Sequence, residues 1–343
     1  MTSSAIVLGA GLAVGPHLGA LRSNGIERLV VVTSDADRAE RVRGIDPRAI
    51  VVPRLDDAFE AVDGTPDLGV VASPPVAHLD GVRAFAARGV DVVCEKPFCL
   101  TLADALASRD AARAAGTRLA VSFQHRFKPA AAAAREVVAS GAIGEVVAAQ
   151  VRVPWWRSQD YYDEPGRGDA DRDGGGVLIT QAVHVLDLYL SLFGSVERVS
   201  ALGATTSLHR MQTEDVMQLL LVHPTFTTTV LATTASRPGR PETIEVLGTE
   251  GRLLFEGSAL RVEDAEGGVI AEVAPAALRG GGIDPTRMTP WFEALYDDVL
   301  SSWRAGRASL ADVDATIETR RVVDAAYRSL SRDGEWADIA GDA

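Results

Sequence analysis

Over its first 123 residues the chain alternates short apolar runs with helix-length amphipathic segments, and this alternation constrains its fold more than any other feature. The runs lie at 5–8, 29–32, 50–52, 68–72, 90–94 and 119–123. They are apolar and β-branched on consecutive positions, as strands covered on both faces are. Between them, 55–62, 76–88 and 101–115 read as helices, the last with Thr101 as N-cap and Asp104 as a capping-box-like acid. Strand and helix in strict alternation predict an α/β fold with a parallel, doubly wound sheet.

Past Pro129 the texture changes. Residues 130–140 read as a helix stopped by Gly141, and 145–153 as a strand. A polar stretch of little periodicity follows, VPWWRSQDYYDEPGRGDADRDGGG, and connections that long are uncommon unless functional. Residues 177–193 form a strongly apolar helix closed by Gly194. From 196 to about 273 come strands without helices between them, including 216–222, 225–232 and 243–247, which implies an open, mostly antiparallel sheet. A Gly/Pro-rich loop at 275–290 precedes two helices, near 291–305 and 311–331. The expected division is a nucleotide-binding domain over 1–123 and a second α/β domain over 124–343 that includes both C-terminal helices.

Charge and cysteine usage exclude several partners. The 34 basic and 47 acidic side chains leave a net −13 with no basic run, so no nucleic-acid partner is expected. Cys94 and Cys99 are too few for a disulfide scaffold, which points to a reducing, cytoplasmic setting. The N-terminus lacks a basic region ahead of a long apolar stretch, and nowhere do 18 apolar residues run unbroken, so neither secretion nor a membrane partner is expected. His17, His209 and His223 have no companion that suggests a site, and no spacing fits a metal cluster.

Directly after the first strand stands Gly9-Ala10-Gly11-Leu12-Ala13-Val14-Gly15, opening a helix. Glycines at the first two positions allow a tight turn and let backbone N–H groups approach a pyrophosphate at a helix N-terminus. Val14 stands where the third glycine of that fingerprint falls, with Gly15 one residue later. The second strand ends in Thr33 and Ser34, where an NAD enzyme places a carboxylate on the ribose hydroxyls. Asp35 opposes a 2′-phosphate there and Arg38 would support one; the balance favours NADP, with NAD open.

The fifth strand ends Cys94-Glu95-Lys96-Pro97-Phe98, and ligands of such sheets bind beyond the carboxyl ends of strands. Lys96 and Lys128 are the chain's only lysines, against 32 arginines. A cation at 96 would stabilise an alkoxide while hydride leaves for a nicotinamide, although a Glu-Lys pair at a strand end also suits a solvated surface. Lys128, ahead of Pro129, reads as solvated. On the apolar helix, Thr180, His184 and Asp187 share one face by their offsets of four and seven, which suggests a lined cavity.

With these features together the chain resembles the Gfo/Idh/MocA oxidoreductases, in GAGLAVG, in VVASPPVAH ending at His78, in CEKPF and in GGGVLITQAVHVLD. The resemblance implies a Rossmann domain, then an α/β domain with an open sheet, and a homodimer or homotetramer joined through that sheet. Implied cofactor contacts are Gly9, Gly11, Leu12, Ala13, Thr33, Ser34, Arg38, Ser73, Pro74, His78, Glu95, Lys96 and Gln124. Lys96 matches the catalytic lysine and His184 the general acid/base. The family's Asp four residues earlier is replaced by Thr180, leaving Asp187 or Asp173 to orient the histidine. Arg126 in SFQHRF matches a position near the substrate, whereas His125, by strand alternation, is expected to point away. Trp155, Trp156, Arg157, Tyr162, Arg167 and Arg172 of the long loop suit the faces and hydroxyls of a carbohydrate-like substrate, or form an incidental surface loop. The implied activity is hydride exchange between NAD or NADP and a secondary alcohol of a sugar or polyol. A redox-assisted glycoside hydrolase and a cofactor-binding protein without turnover are the alternatives.

Overall fold

The computed structural model of the protein describes residues 3–62, 64–275 and 289–339; the loop expected at 275–290 lies almost wholly outside them. The chain forms two compact units, one from the residues through Gln124 joined by 289–317, the other from His125 onward and again from Glu318.

In the first unit the apolar runs are strands: β1 (Ser4–Leu8), β2 (Arg28–Val32), β3 (Ile50–Val52), β4 (Leu68–Val71), β5 (Val92–Cys94) and β6 (Leu119–Val121). Helices α1 (Val14–Ser23), α2 (Ala36–Ile45), α3 (Leu55–Ala61), α4 (His78–Ala86) and α5 (Leu102–Ala115) alternate with them. The sheet runs β3-β2-β1-β4-β5-β6 with every pair parallel. Strand order reverses between β1 and β4, so the ends of these two strands form the switch point where such sheets take ligands. Thr101 caps α5 by accepting the Asp104 N–H, and Gly116 closes it in the left-handed region.

The second unit holds α6 (Pro129–Ser140), β7 (Val146–Pro154), α7 (Gln159–Tyr162), α8 (Ala170–Asp173) and α9 (Val183–Phe193). Strands β8 (Arg198–Ala204), β9 (Val216–Val222), β10 (Thr227–Thr233), β11 (Thr243–Gly248), β12 (Gly251–Glu256), β13 (Ala259–Asp264) and β14 (Val269–Val273) follow. With β15 (Ala337–Asp338) they form a sheet ordered β14-β13-β12-β11-β7-β10-β9-β8-β15, antiparallel except between β7 and β10. Alternation sends Met217, Leu219 and Leu221 inward and leaves Gln218 and Leu220 on the outer face. The stretch Ala170–Phe193 has the length and hydropathy of a membrane-crossing helix, yet 83% of that window is buried, as in a core helix.

One boundary differs from expectation. Of the C-terminal helices α10 (Thr289–Arg304) and α11 (Val313–Leu330), the first groups with the N-terminal unit. Its apolar stripe of Phe292, Leu295, Tyr296 and Val299 is buried, and the His17 ring on α1 meets Phe292 edge-on at 4.9 Å. A helix whose Tyr296 meets His17 of α1 across 279 residues leaves no local pattern that reveals its partner.

Candidate active site

Gly9 carries the turn that leaves β1. Its φ is +107°, and a Cβ there would come within 2.6 Å of the Ala72 backbone at the end of β4, so only glycine fits. At Gly11 the nearest atom to such a Cβ is 3.9 Å away. Ala13 gives α1 no side-chain cap, and its first turn holds no acid, so the N–H groups face outward as a dinucleotide pyrophosphate requires. Ser73 Oγ, buried at the facing strand end, finds no hydrogen-bond partner among the described residues. These features fit a dinucleotide. Leu12 and Pro74 are exposed beside the turn. Val14, in place of the third glycine, is buried in the unit.

After β2, Thr33 is half-buried and Ser34 exposed. Asp35 caps α2 by accepting the Arg38 N–H at 3.0 Å, and the Arg38 guanidinium reaches the same carboxylate at 3.4 Å. Arg41, one turn further, donates to the Ala10 carbonyl of the glycine turn. Asp35 is therefore engaged by its own helix.

Lys96 follows β5, half-buried, with a cis bond to Pro97. Glu95 beside it is 6% exposed, and both carboxylate oxygens are committed: Oε1 accepts from His17 Nε2 at 2.8 Å, Oε2 from the Lys96 backbone N–H at 2.9 Å. This gives His17 the companion that spacing did not suggest. Burial pushes Glu95 up, but His17 and Lys96 more than offset it and hold the carboxyl below its usual range. His78, expected at the cofactor, is wholly buried; its Nε2 donates to the Ser73 carbonyl at 2.8 Å, so it braces the turn rather than touching a ligand. Burial lowers its pKa. Gln124 is likewise buried.

In the second unit the helix expected over 177–193 is not uniform: Leu178–Ala182 is a π turn ahead of α9. Such turns recur at functional sites. Thr180 Oγ1 lies 2.6 Å from the Gly176 carbonyl and close to Gln181 Oε1, with one hydroxyl proton to share between the two acceptors. Two of the three glycines before the helix serve packing: a Cβ at Gly175 would overlap the Tyr327 hydroxyl and one at Gly176 the Glu214 carbonyl, and the Glu214 carboxylate accepts the Gly176 and Leu178 N–H groups at 2.9 and 3.1 Å.

His184 is 6% exposed, and the His125 ring stacks on it, with centroids 4.7 Å apart and planes 18° from parallel. The expectation for His125 fails because residues Gln124–Phe127 form a 3-10 turn, not a strand. Asp187, the acid expected to orient His184, is engaged by Arg126 and Thr319. It is fully buried and accepts both arms of Arg126 at 2.7 Å, with the Thr319 hydroxyl at 2.9 Å. That pair commits one edge of the Arg126 guanidinium to Asp187. Asp173 accepts the Gly168 N–H within its own loop.

The long loop is pinned to the sheet: Trp155 N–H donates to the Thr233 carbonyl, Arg157 N–H to that of Thr234, and Trp156 bridges to Ala235. Tyr162 is buried, bonded to Thr234 Oγ1 at 2.6 Å, with its phenol pushed up to about 12 by burial. Tyr161 takes its place as the aromatic of the cluster. Arg167 lies over its ring at 4.2 Å, Arg157 at 5.7 Å, and Gln181 Nε2 donates to its hydroxyl at 3.2 Å. Arg172 folds back on the Pro165 carbonyl, and Arg237 covers Trp156 at 4.1 Å. His209, too, has companions: its Nδ1 lies 2.6 Å from Asp215 Oδ2 and its Nε2 2.9 Å from the Arg157 carbonyl. Trp155 Nε1 donates to Glu242 at 3.2 Å, and Glu242 also binds Lys128 at 2.8 Å. Lys128 is thus buried and paired, not solvated. Among the described residues no group of three His, Cys, Asp or Glu converges as metal ligands would.

A doubly wound unit with an uncapped helix behind a glycine turn, and a lysine at a neighbouring strand end, defines a nicotinamide-dinucleotide oxidoreductase. Residues 4–123 match the model of the oxidoreductase family with an NAD-binding Rossmann fold, and 131–254 that of the GFO/IDH/MocA C-terminal domain. The chain is 30% identical to D-apiose dehydrogenase of Paraburkholderia graminis, over 97% of its own length and 88% of the relative's. It is 27% identical to D-xylose 1-dehydrogenase (NADP(+)) 2 of Haloferax volcanii, over 93% and 94%. WlbA dehydrogenase from Bordetella pertussis, solved with NADH and UDP-GlcNAcA, superposes with a TM-score of 0.83 at 25% identity, covering 99% and 98%. The chain belongs to the Gfo/Idh/MocA oxidoreductase family.

Proposed function

We propose that the protein is an NAD(P)-dependent dehydrogenase that reversibly oxidises a secondary alcohol of a sugar, polyol or related cyclic substrate. The observation that carries this reading is Lys96, set at the end of β5 in the same unit as the glycine cradle of Gly9 and Gly11. The dinucleotide would be held by Gly9, Gly11, the N–H groups of α1 and Ser73. When bound, its nicotinamide supplies the hydride acceptor. The Lys96 ammonium steadies the alkoxide of the reacting carbinol, and His184 takes its hydroxyl proton; an imidazole near pH 7 suits that exchange. Trp155, Arg157, Tyr161 and Arg167 form the polar and aromatic surface for the substrate.

Three finer points belong to the same reading. Thr33 and Ser34 carry no carboxylate and Asp35 is taken up by Arg38, which supports acceptance of a 2′-phosphate and a preference for NADP. Leu202, Leu220 and Leu247 on the outer face of the second sheet are exposed, which supports a homo-oligomer joined there, read by sedimentation at micromolar concentration. Free thiols at Cys94 and Cys99, both buried, support a cytoplasmic setting.

A screen of sugars, polyols and sugar acids with each nicotinamide cofactor, read at the NAD(P)H absorbance band, tests the proposal. Lys96→Ala and His184→Ala should each lower turnover about 10²–10⁴-fold with cofactor affinity nearly intact. Parental rates in both variants would defeat the assignment.

A further inference from the structure

His17 has no part in the chemistry above and, at 0% exposure, touches no ligand. It is nevertheless tied to the reacting lysine by an unbroken chain of hydrogen bonds. On one side the Tyr296 hydroxyl of α10 lies 2.6 Å from Nδ1; on the other, Nε2 lies 2.8 Å from Glu95 Oε1. A carboxylate only accepts, so Nε2 carries the proton, and in the neutral ring Nδ1 accepts from the tyrosine. The second Glu95 oxygen accepts the backbone N–H of Lys96. One buried carboxylate therefore joins α1 and α10 to the peptide that aims the amine.

We infer that His17 is a positioning residue for the reaction: it holds Glu95 ionised and in place, and Glu95 fixes the backbone from which Lys96 projects. The inference rests on the catalytic reading of Lys96. Without the imidazole donor, one oxygen of a buried carboxylate would lack its partner, a state that favours the protonated acid. The ionisable groups that face Glu95 are His17 from α1, Tyr296 from α10, His78 from α4, and Cys94 and Lys96 from its own strand end.

Because the chain has two lysines, selective ¹⁵N-lysine labelling yields two backbone amide signals, and Lys128→Arg identifies the one from Lys96. That amide sits on the Glu95 carboxylate, so its shift reports the charge there without any substrate. In the parent it should stay flat between about pH 5 and 8. In His17→Leu it should move and titrate, with a midpoint raised by about one unit or more. His17→Gln, whose amide still reaches Glu95, should restore the flat trace. Turnover in His17→Leu should fall about ten- to hundredfold, with the cofactor KM changed less than about threefold, as for a misaimed group. An unmoved, flat Lys96 amide together with parental turnover in a folded His17→Leu overturns the inference. If that variant does not fold, Tyr296→Phe decides: it should shift the same amide, and an identical spectrum overturns the inference. Absence of turnover by the parent across the substrate panel would count against the dehydrogenase reading alone, since the amide titration needs none.

Discussion

Removing Arg126 separates two roles that the sequence allows for it. Its guanidinium forks onto Asp187 with two 2.7 Å contacts, and the two side chains are 5% and 0% exposed. Arg126→Met would leave a fully buried carboxylate with the Thr319 hydroxyl as its remaining donor. Stripping one partner from a buried ion pair costs about 3–5 kcal/mol, chiefly because the surviving charge stays desolvated. At about 2–4 °C per kcal/mol for a unit of this size, the melting temperature should fall by about 6–20 °C. Arg126→Met combined with Asp187→Leu should recover most of the loss, since the costly species is the orphaned charge and not the missing bond. Scanning fluorimetry on the parent, both singles and the double variant reads the cycle directly. A single variant that melts within about 2 °C of the parent while its substrate KM rises would refute the reasoning and return Arg126 to the substrate.

Gly11→Ala should leave the melting temperature near the parental value yet weaken dinucleotide binding at least about tenfold, whereas Gly9→Ala, which meets backbone at 2.6 Å, should compromise the fold itself; fluorescence titration with NAD(P)H and melting curves separate the two. His78 is held below its ordinary pKa of 6.5 by burial, so the unfolded chain binds more protons between the two values. Stability from this group is then full above about 6.5 and lost as pH falls through the window beneath it, and His78→Gln should flatten that acid-side decline in melting temperature. Tyr161→Phe should raise the substrate KM with little change in melting, while Tyr162→Phe, which leaves a buried Thr234 hydroxyl unpaired, should lower stability by about 1–3 kcal/mol and spare KM.

The first unit was the more legible half. Its strands are covered on both faces, so each is a continuous apolar run, and α5 announces itself by its Thr101 cap and Gly116 stop. The glycine turn and Lys96 could be placed because both lie where a strand ends. What escaped was long-range. Tyr296 reaches His17 across 279 residues, and nothing near either residue in the chain signals the other. His17 consequently read as a histidine without a companion although both its nitrogens are engaged.

The second unit shows why helical spacing misleads at a site. Offsets of four and seven put Thr180, His184 and Asp187 on one face by α-helical geometry, and the π turn at Leu178–Ala182 departs from that geometry at Thr180. Thr180 then turns to its own backbone, and Asp187 is claimed by Arg126 from 61 residues earlier. The His125 side chain, assigned to the wrong side by a strand period, arrives on His184 because the chain after β6 coils instead of extending. In each instance the residue type was read correctly and the local geometry was not. A polar group on an apolar helix is committed either to a substrate or to a buried partner, and pattern alone is blind to the partner. The Arg126–Asp187 cycle measures which of the two this helix has chosen.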